Sequence, residues 1–200
     1  MRDRSPIWIG LADLMLCIVS VVIVAVAPVK ARTDGIKPKA EYLISADWDV
    51  MLDSDVDLWV VNPSQKPIFY GSRQVGCADL DHDSLGFQTS LVTLADGSTV
   101  RAISNKEVIS VRCFEPGHWD IAVNLYSDRE LAGGRKDIKV HVEVVGLNPE
   151  VRTVFAKDVA LDRVGQTVNV VSFEMERDGK ITLGDPPLQP ITEAYRGRKP

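Results

Sequence analysis

"KVHVEVV", residues 139–145, alternates without a break: Val140, Val142 and Val144 fall on one side, Lys139, His141 and Glu143 on the other. Successive side chains of a strand point to opposite faces, so this pattern suits a strand with one face on a core and the other in water. The same period recurs along the chain. Tyr42, Ile44, Ala46, Trp48 and Val50 share a face, as do Val56, Leu58 and Val60, and again Ile121, Val123 and Leu125. Further strands are expected at 67–70, 98–102, 108–114, 151–161, 167–175 and 181–183, separated by Gly, Pro, Asn and Asp at hairpin-like intervals. Short strands at that spacing predict a mainly β fold, an antiparallel β-sandwich over residues 41–185. Between Val168/Val170 and Val171/Phe173/Met175 the apolar set changes phase, which predicts a bulge that re-aims the strand. No stretch after residue 40 has a helical period. Residues 186–200, rich in proline, read as a flexible tail.

The apolar residues are distributed unevenly. From Ile7 to Val29 the only charged residue is Asp13, whereas everything after Lys30 is mixed and polar. At 1.5 Å per residue that run makes a helix of roughly 34 Å, enough to cross a hydrocarbon core of about 30 Å. The expectation is a transmembrane helix at 7–29 behind a short cytoplasmic tail, residues 1–6, with "KARTDGIKPKA", residues 30–40, as the linker to the sandwich. A cleaved signal peptide is the rival, since Leu14 to Ala27 has the length of its apolar region and Arg2 and Arg4 supply a basic start. Cleavage after Ala27 would leave Pro28 first, which weakens that reading. Lys30, Arg32, Lys37 and Lys39 follow the span, so the charge bias alone reads against an inside N-terminus.

A net charge of -5 and a pI near 5.2 give no basic footprint, and nucleic acid is set aside as a partner. His82, His118 and His141 have no metal-ligand spacing, and no nucleophile elbow, phosphate loop or dinucleotide fingerprint occurs, so the chain is not expected to be an enzyme. His118 suits a turn or packing role, and Trp48 and Trp59 suit core and edge packing. Three cysteines make no disulfide framework. Cys77 and Cys113 are able to pair in an oxidising compartment, and two independent buried thiols are the other reading.

An acid near the front of an apolar span is costly unless it has a use. Leu11-Ala12-Asp13-Leu14-Met15-Leu16, then a Val/Ile run ending in Ala27-Pro28, resembles the ExbD/TolR small subunits of proton-driven inner-membrane motors, and more distantly MotB. The resemblance covers some twenty residues. It implies that Asp13 is the proton carrier, that the chain dimerises inside a ring of a MotA/ExbB/TolQ-like multi-span partner, and that the sandwich lies in the periplasm of a bacterial envelope. A helix bundle of low dielectric raises an Asp pKa, which allows the group to be neutral among apolar neighbours and ionised when water reaches it. An interfacial Asp that only marks the start of the span is the plainer alternative, and the chain is then a passive membrane-anchored or secreted binding module.

"DSDVDLWVVNPSQKPIFYGSRQVGCADLDHDSLG", residues 53–86, resembles the YfaP-like extracytoplasmic β-sandwich domains, with an Asp-Val-Asp-Leu-x-Val strand, a Pro turn, an aromatic strand and an acidic segment before a Gly. "EVISVRCFEPGHWDIAVNLYSD", residues 107–128, fits the later strand-turn-strand of that family. Gly76-Cys77 stands where family members tend to have Gly-Gly. The resemblance supports the fold more than an activity.

The acids of this stretch have their own physical reading. Asp55 and Asp57 lie two apart on one strand face with Asp53 just before, and Asp79, Asp81 and Asp83 repeat the spacing on a loop-like segment. If the segments meet, their oxygens suit a hard cation such as Ca2+, which takes six to eight oxygen ligands. The spacing is not that of an EF-hand. The plainer reading is turn-initiating aspartates, or a charged edge that discourages strand pairing.

Overall fold

The computed structural model describes residues 14–16, 39–86, 91–101, 104–129 and 137–195. Residues 38–200 form one unit, separate from residues 1–37. Among the described residues no helix is long and apolar enough to cross a membrane. The expected span at 7–29 and its Asp13 lie outside the described residues, apart from the helical residues 14–16.

The strands are β1 (Tyr42–Trp48), β2 (Ser54–Val61), β3 (Pro67–Ile68), β4 (Gln74–Val75), β5 (Ala78–His82), β6 (Leu91–Thr93), β7 (Thr99–Arg101), β8 (Lys106–Val111), β9 (Gly117–Asp128), β10 (Ile138–Gly146), β11 (Arg152–Leu161), β12 (Thr167–Met175) and β13 (Ile181–Gly184). They form a six-stranded sheet, β11-β10-β1-β8-β5-β4, a five-stranded sheet, β13-β12-β9-β2-β3, and a two-stranded hairpin, β6-β7. The chain passes between the two large sheets from β1 to β2, β3 to β4, β8 to β9, β9 to β10 and β11 to β12, so many neighbours in sequence lie in opposite sheets.

One apolar cluster joins the inner faces of both large sheets. Ile44, Ala46 and Trp48 of β1, Ile109 and Val111 of β8, and Val140, Val142 and Val144 of β10 meet Val56, Leu58 and Val60 of β2, Ile121, Val123 and Leu125 of β9, and Phe173 of β12. Each side chain buried in full contributes about 1.5–3 kcal/mol, so the alternating valines of β10 act as a matched set. Trp119 and Phe173 stack near-parallel, 5.9 Å apart, in the same layer. The expected phase change in β12 is a register shift between Asn169 and Val171 against β9.

Two sequence expectations are corrected. Asp79 and Asp81 lie in strand β5, paired with β8 and β4, and not in a loop. Residues 186–195, expected as part of a tail, carry a short helix, Ile191–Tyr195, whose Ile191 and Tyr195 pack on Trp59, Val61 and Phe69 on the outer face of the five-stranded sheet. Prolines hide the helical period here, since only five residues are helical. Asn169 fixes the segment by donating to the Pro187 and Gln189 carbonyls at 2.6 and 2.7 Å.

Candidate functional site

Among the described residues, strand β3 pairs with Val60 and Val61 of β2 and no strand lies on that side of the N-terminal half of β2. Glu107 fills part of the gap. It is in register with Ala46 on β8 and alternates onto the same inner face as Ile109 and Val111. Its carboxylate is fully buried, and Oε2 accepts a hydrogen bond from the Leu58 N–H at 2.6 Å. A side chain of the six-stranded sheet thereby caps the open edge of the five-stranded one.

Asp55 and Asp57 project from the same piece of β2, and single carboxylate oxygens of Asp55, Asp57 and Glu107 lie within 4.8 Å of one another. Opposite β2, the pairing with β9 skips Tyr126 between Asp55 and Val56, a bulge beside the acids. Asp83, in the connection after β5, stands beside this set without belonging to it: its charge acts on all three acids and its carboxyl is within hydrogen-bond reach of Glu107. That connection is pressed against β2 at Gly86, whose φ is +76° and where an added Cβ would stand 2.8 Å from the Ser54 carbonyl oxygen. Only glycine fits such an approach in that conformation. The exposed rings of Tyr70 and Tyr126 meet edge-on 5.6 Å apart, and Tyr70 lies within the field of Asp57.

The electrostatics are adverse. Burial, then Asp83, pushes Asp55 up to about 6, with Arg129 opposing. Burial, then Asp55 and Asp83, pushes Asp57 up to about 8. Burial holds Glu107 well above the usual carboxylate range, against the Leu58 N–H and with help from Asp57 and Asp83. Two carboxylates within 4.8 Å, if both ionised, repel by about 3.5 kcal/mol or more at an effective dielectric constant of ~20. A proton held between the Glu107 and Asp83 carboxyls lets them hydrogen-bond, but with the group ionised no donor reaches the buried Asp55 Oδ1, Asp83 Oδ1 and Glu107 Oε1. Arg73 takes the other oxygen of Asp83 at 2.7 Å. Among the described residues, none supplies a cation bonded to Asp55, Asp57 or Glu107.

The six aspartates singled out in the sequence therefore separate. Asp55, Asp57 and Asp83 come together. Asp53 is bound by Arg129 at 2.7 Å, and Asp79 and Asp81 are held by Arg112 at 2.9 and 2.8 Å. Glu107 was missed, although its signal is in the sequence: Glu107, Ile109 and Val111 alternate on one face, which puts a carboxylate among core residues. Cys77 and Cys113 are joined in a disulfide. His118 bridges Glu174 and Asp120 on the outer face of the five-stranded sheet, and His141 bonds Asp158. Neither histidine touches the carboxylate group.

No family model, curated protein or solved structure matches this chain.

Proposed function

We propose that the chain is an extracytoplasmic β-sandwich binding module held at a bacterial inner membrane by its apolar N-terminal stretch. The Cys77–Cys113 disulfide carries this reading, since disulfides persist in oxidising compartments and are rare in the cytosol. The run Ile7 to Val29, long enough to anchor the chain, supports the same placement. The exposed Tyr70 and Tyr126 offer a contact surface of the aromatic type enriched at binding hot spots. The test is isolation of the tagged full-length chain from its native membrane under non-reducing conditions, with mass spectrometry of its N-terminus, its cysteines and its co-purifying proteins. A chain retaining Met1, oxidised at Cys77 and Cys113, supports the anchored module; a chain beginning near Arg32 overturns the anchor, and free thiols overturn the compartment.

Asp13 favours a second reading. An acid at the head of a span is the feature an ExbD/TolR-like motor subunit needs, with Asp13 carrying protons, a MotA/ExbB/TolQ-like ring around a dimer of this chain, and the sandwich passing force to its target. Co-purification of a multi-span protein in excess supports it, and a fully active Asp13→Asn variant refutes it.

A further inference from the structure

We propose that Asp55, Asp57 and Glu107, with Asp83 beside them, bind one Ca2+ ion at the open edge of β2. A group of acids alone is no site, because solvated carboxylates cluster on many surfaces. Here the decisive group is Glu107, a fully buried side chain whose Oε1 meets no donor when the neighbouring acids are ionised, and which offers a carboxylate oxygen within 4.8 Å of those of Asp55 and Asp57. Its other oxygen is committed to the Leu58 N–H, which fixes the carboxylate in place. Asp55 and Asp83 each add a buried oxygen that no donor reaches with the group ionised. Buried polar atoms in native proteins are satisfied almost without exception, so several orphaned carboxylate oxygens in one place point to a missing positive centre.

The spacing agrees with an ion. Oxygens about 2.4 Å from a common Ca2+ stand up to about 4.8 Å apart, and the ligand atoms of Asp55, Asp57 and Glu107 fall within 4.8 Å. The donor set is all oxygen, with neither sulfur nor imidazole, which disfavours zinc. Three carboxylates within reach of one ion, with Asp83 beside them, suit Ca2+, which tolerates irregular geometry and takes many protein oxygens, over Mg2+, which retains water and uses one or two carboxylates. The ion also has a structural consequence. Asp83 and Glu107 stand on either side of the excursion that carries β6 and β7, and Asp55 and Asp57 belong to the other sheet, so one cation with Asp83 beside it ties both ends of that excursion to β2.

The full-length chain in detergent, stripped with a chelator, is titrated with CaCl2 and separately with MgCl2 by calorimetry, and its thermal unfolding is followed in both. The expected result is one Ca2+ per chain with a Kd of about 10⁻⁶–10⁻³ M, a higher Tm with Ca2+, and weaker binding of Mg2+. Glu107→Gln and Asp57→Asn each weaken Ca2+ binding at least tenfold, whereas Asp79→Asn, in a residue held by Arg112, leaves it unchanged. Should Glu107→Gln not fold, the more accessible Asp55→Asn serves in its place with the same tenfold loss expected. Absence of a Ca2+-dependent Tm shift and of binding heat at millimolar Ca2+ overturns the proposal, as does Ca2+ binding that survives both Asp57→Asn and Asp55→Asn.

Discussion

Removing the disulfide should weaken the fold by an amount calculable from its position. Cys77 precedes β5 and Cys113 follows β8, strands that are paired in the six-stranded sheet, and the bond closes a loop with a sequence separation of 36. In the chain-entropy account a loop of that length restricts the unfolded chain by about 4 kcal/mol. For a domain of this size that corresponds to a fall in Tm of about 8–15 °C. The loop contains Asp83 and Glu107 but not Asp55 or Asp57, so its loss frees the unfolded chain at two corners of the carboxylate group and leaves the others on β2. The assay compares thermal unfolding of the full-length chain with that of the Cys77→Ser/Cys113→Ser variant, both under a reductant-free atmosphere, followed by tryptophan fluorescence. Trp119, buried beside Phe173 in the core, reports the loss of packing between the sheets. A fall in Tm under about 3 °C would refute the reasoning, because the 77–113 loop would then be equally restricted in the unfolded chain without its cross-link.

Other consequences are equally direct. In chelator, the Tm of the chain should fall as pH rises from about 4 toward 8: the folded state holds protons on Asp57, pushed up to about 8, and Asp55, pushed up to about 6, that the unfolded state has released, so deprotonation favours unfolding. Asp57→Asn should flatten that slope in parallel thermal scans, and an unchanged slope would remove Asp57 as its source. Gly86→Ala should cost about 1–3 kcal/mol in denaturant unfolding from its positive φ, with more from the contact at the Ser54 carbonyl, and should lower the affinity of the site through Asp83. His118 has its pKa raised, because its bonds to Glu174 and Asp120 outweigh the lowering by burial; the stabilisation is present below about pH 6.5 and lost as pH rises through the folded pKa. His118→Gln should therefore reduce stability at pH 5.5 more than at pH 8, by a small amount since the pair is exposed to solvent. Truncating Ile191 to Ala should destabilise by about 2 kcal/mol or more in denaturant unfolding, because it empties the buried contact between the terminal helix and Trp59, Val61 and Ala122.

The fold was legible where burial acts on one face at a time. Val140, Val142 and Val144, or Ile121, Val123 and Leu125, announce a strand because water on the other face keeps the intervening residues polar, and the shift of phase in β12 announces its bulge for the same reason. That logic fails for β4 and β6, which are two and three residues long and too short to repeat the period, and for the terminal helix, which is held by Trp59, Val61, Phe69 and Ala122 and by Asn169 rather than by a repeat of its own. The site was half legible because its aspartates look alike in sequence. Which of them meets an arginine is decided by pairings distant along the chain: Arg112, next to the end of β8, reaches Asp79 and Asp81 only because β5 is its neighbour, and Arg129 reaches Asp53 only because β9 runs beside β2. Those two arginines neutralise three of the six aspartates, Arg73 holds one oxygen of Asp83, and Asp55 and Asp57 are left with no bonded cation among the described residues. Glu107 adds a fourth acid from the opposite sheet, and its cost explains the arrangement: a carboxylate on the core face of β8 is tolerated because the Leu58 N–H, stranded at an edge that β3 does not reach, needs an acceptor. The same edge that calls for Glu107 thus brings the acids of both sheets together, and the fold's incomplete pairing is the physical origin of its candidate site.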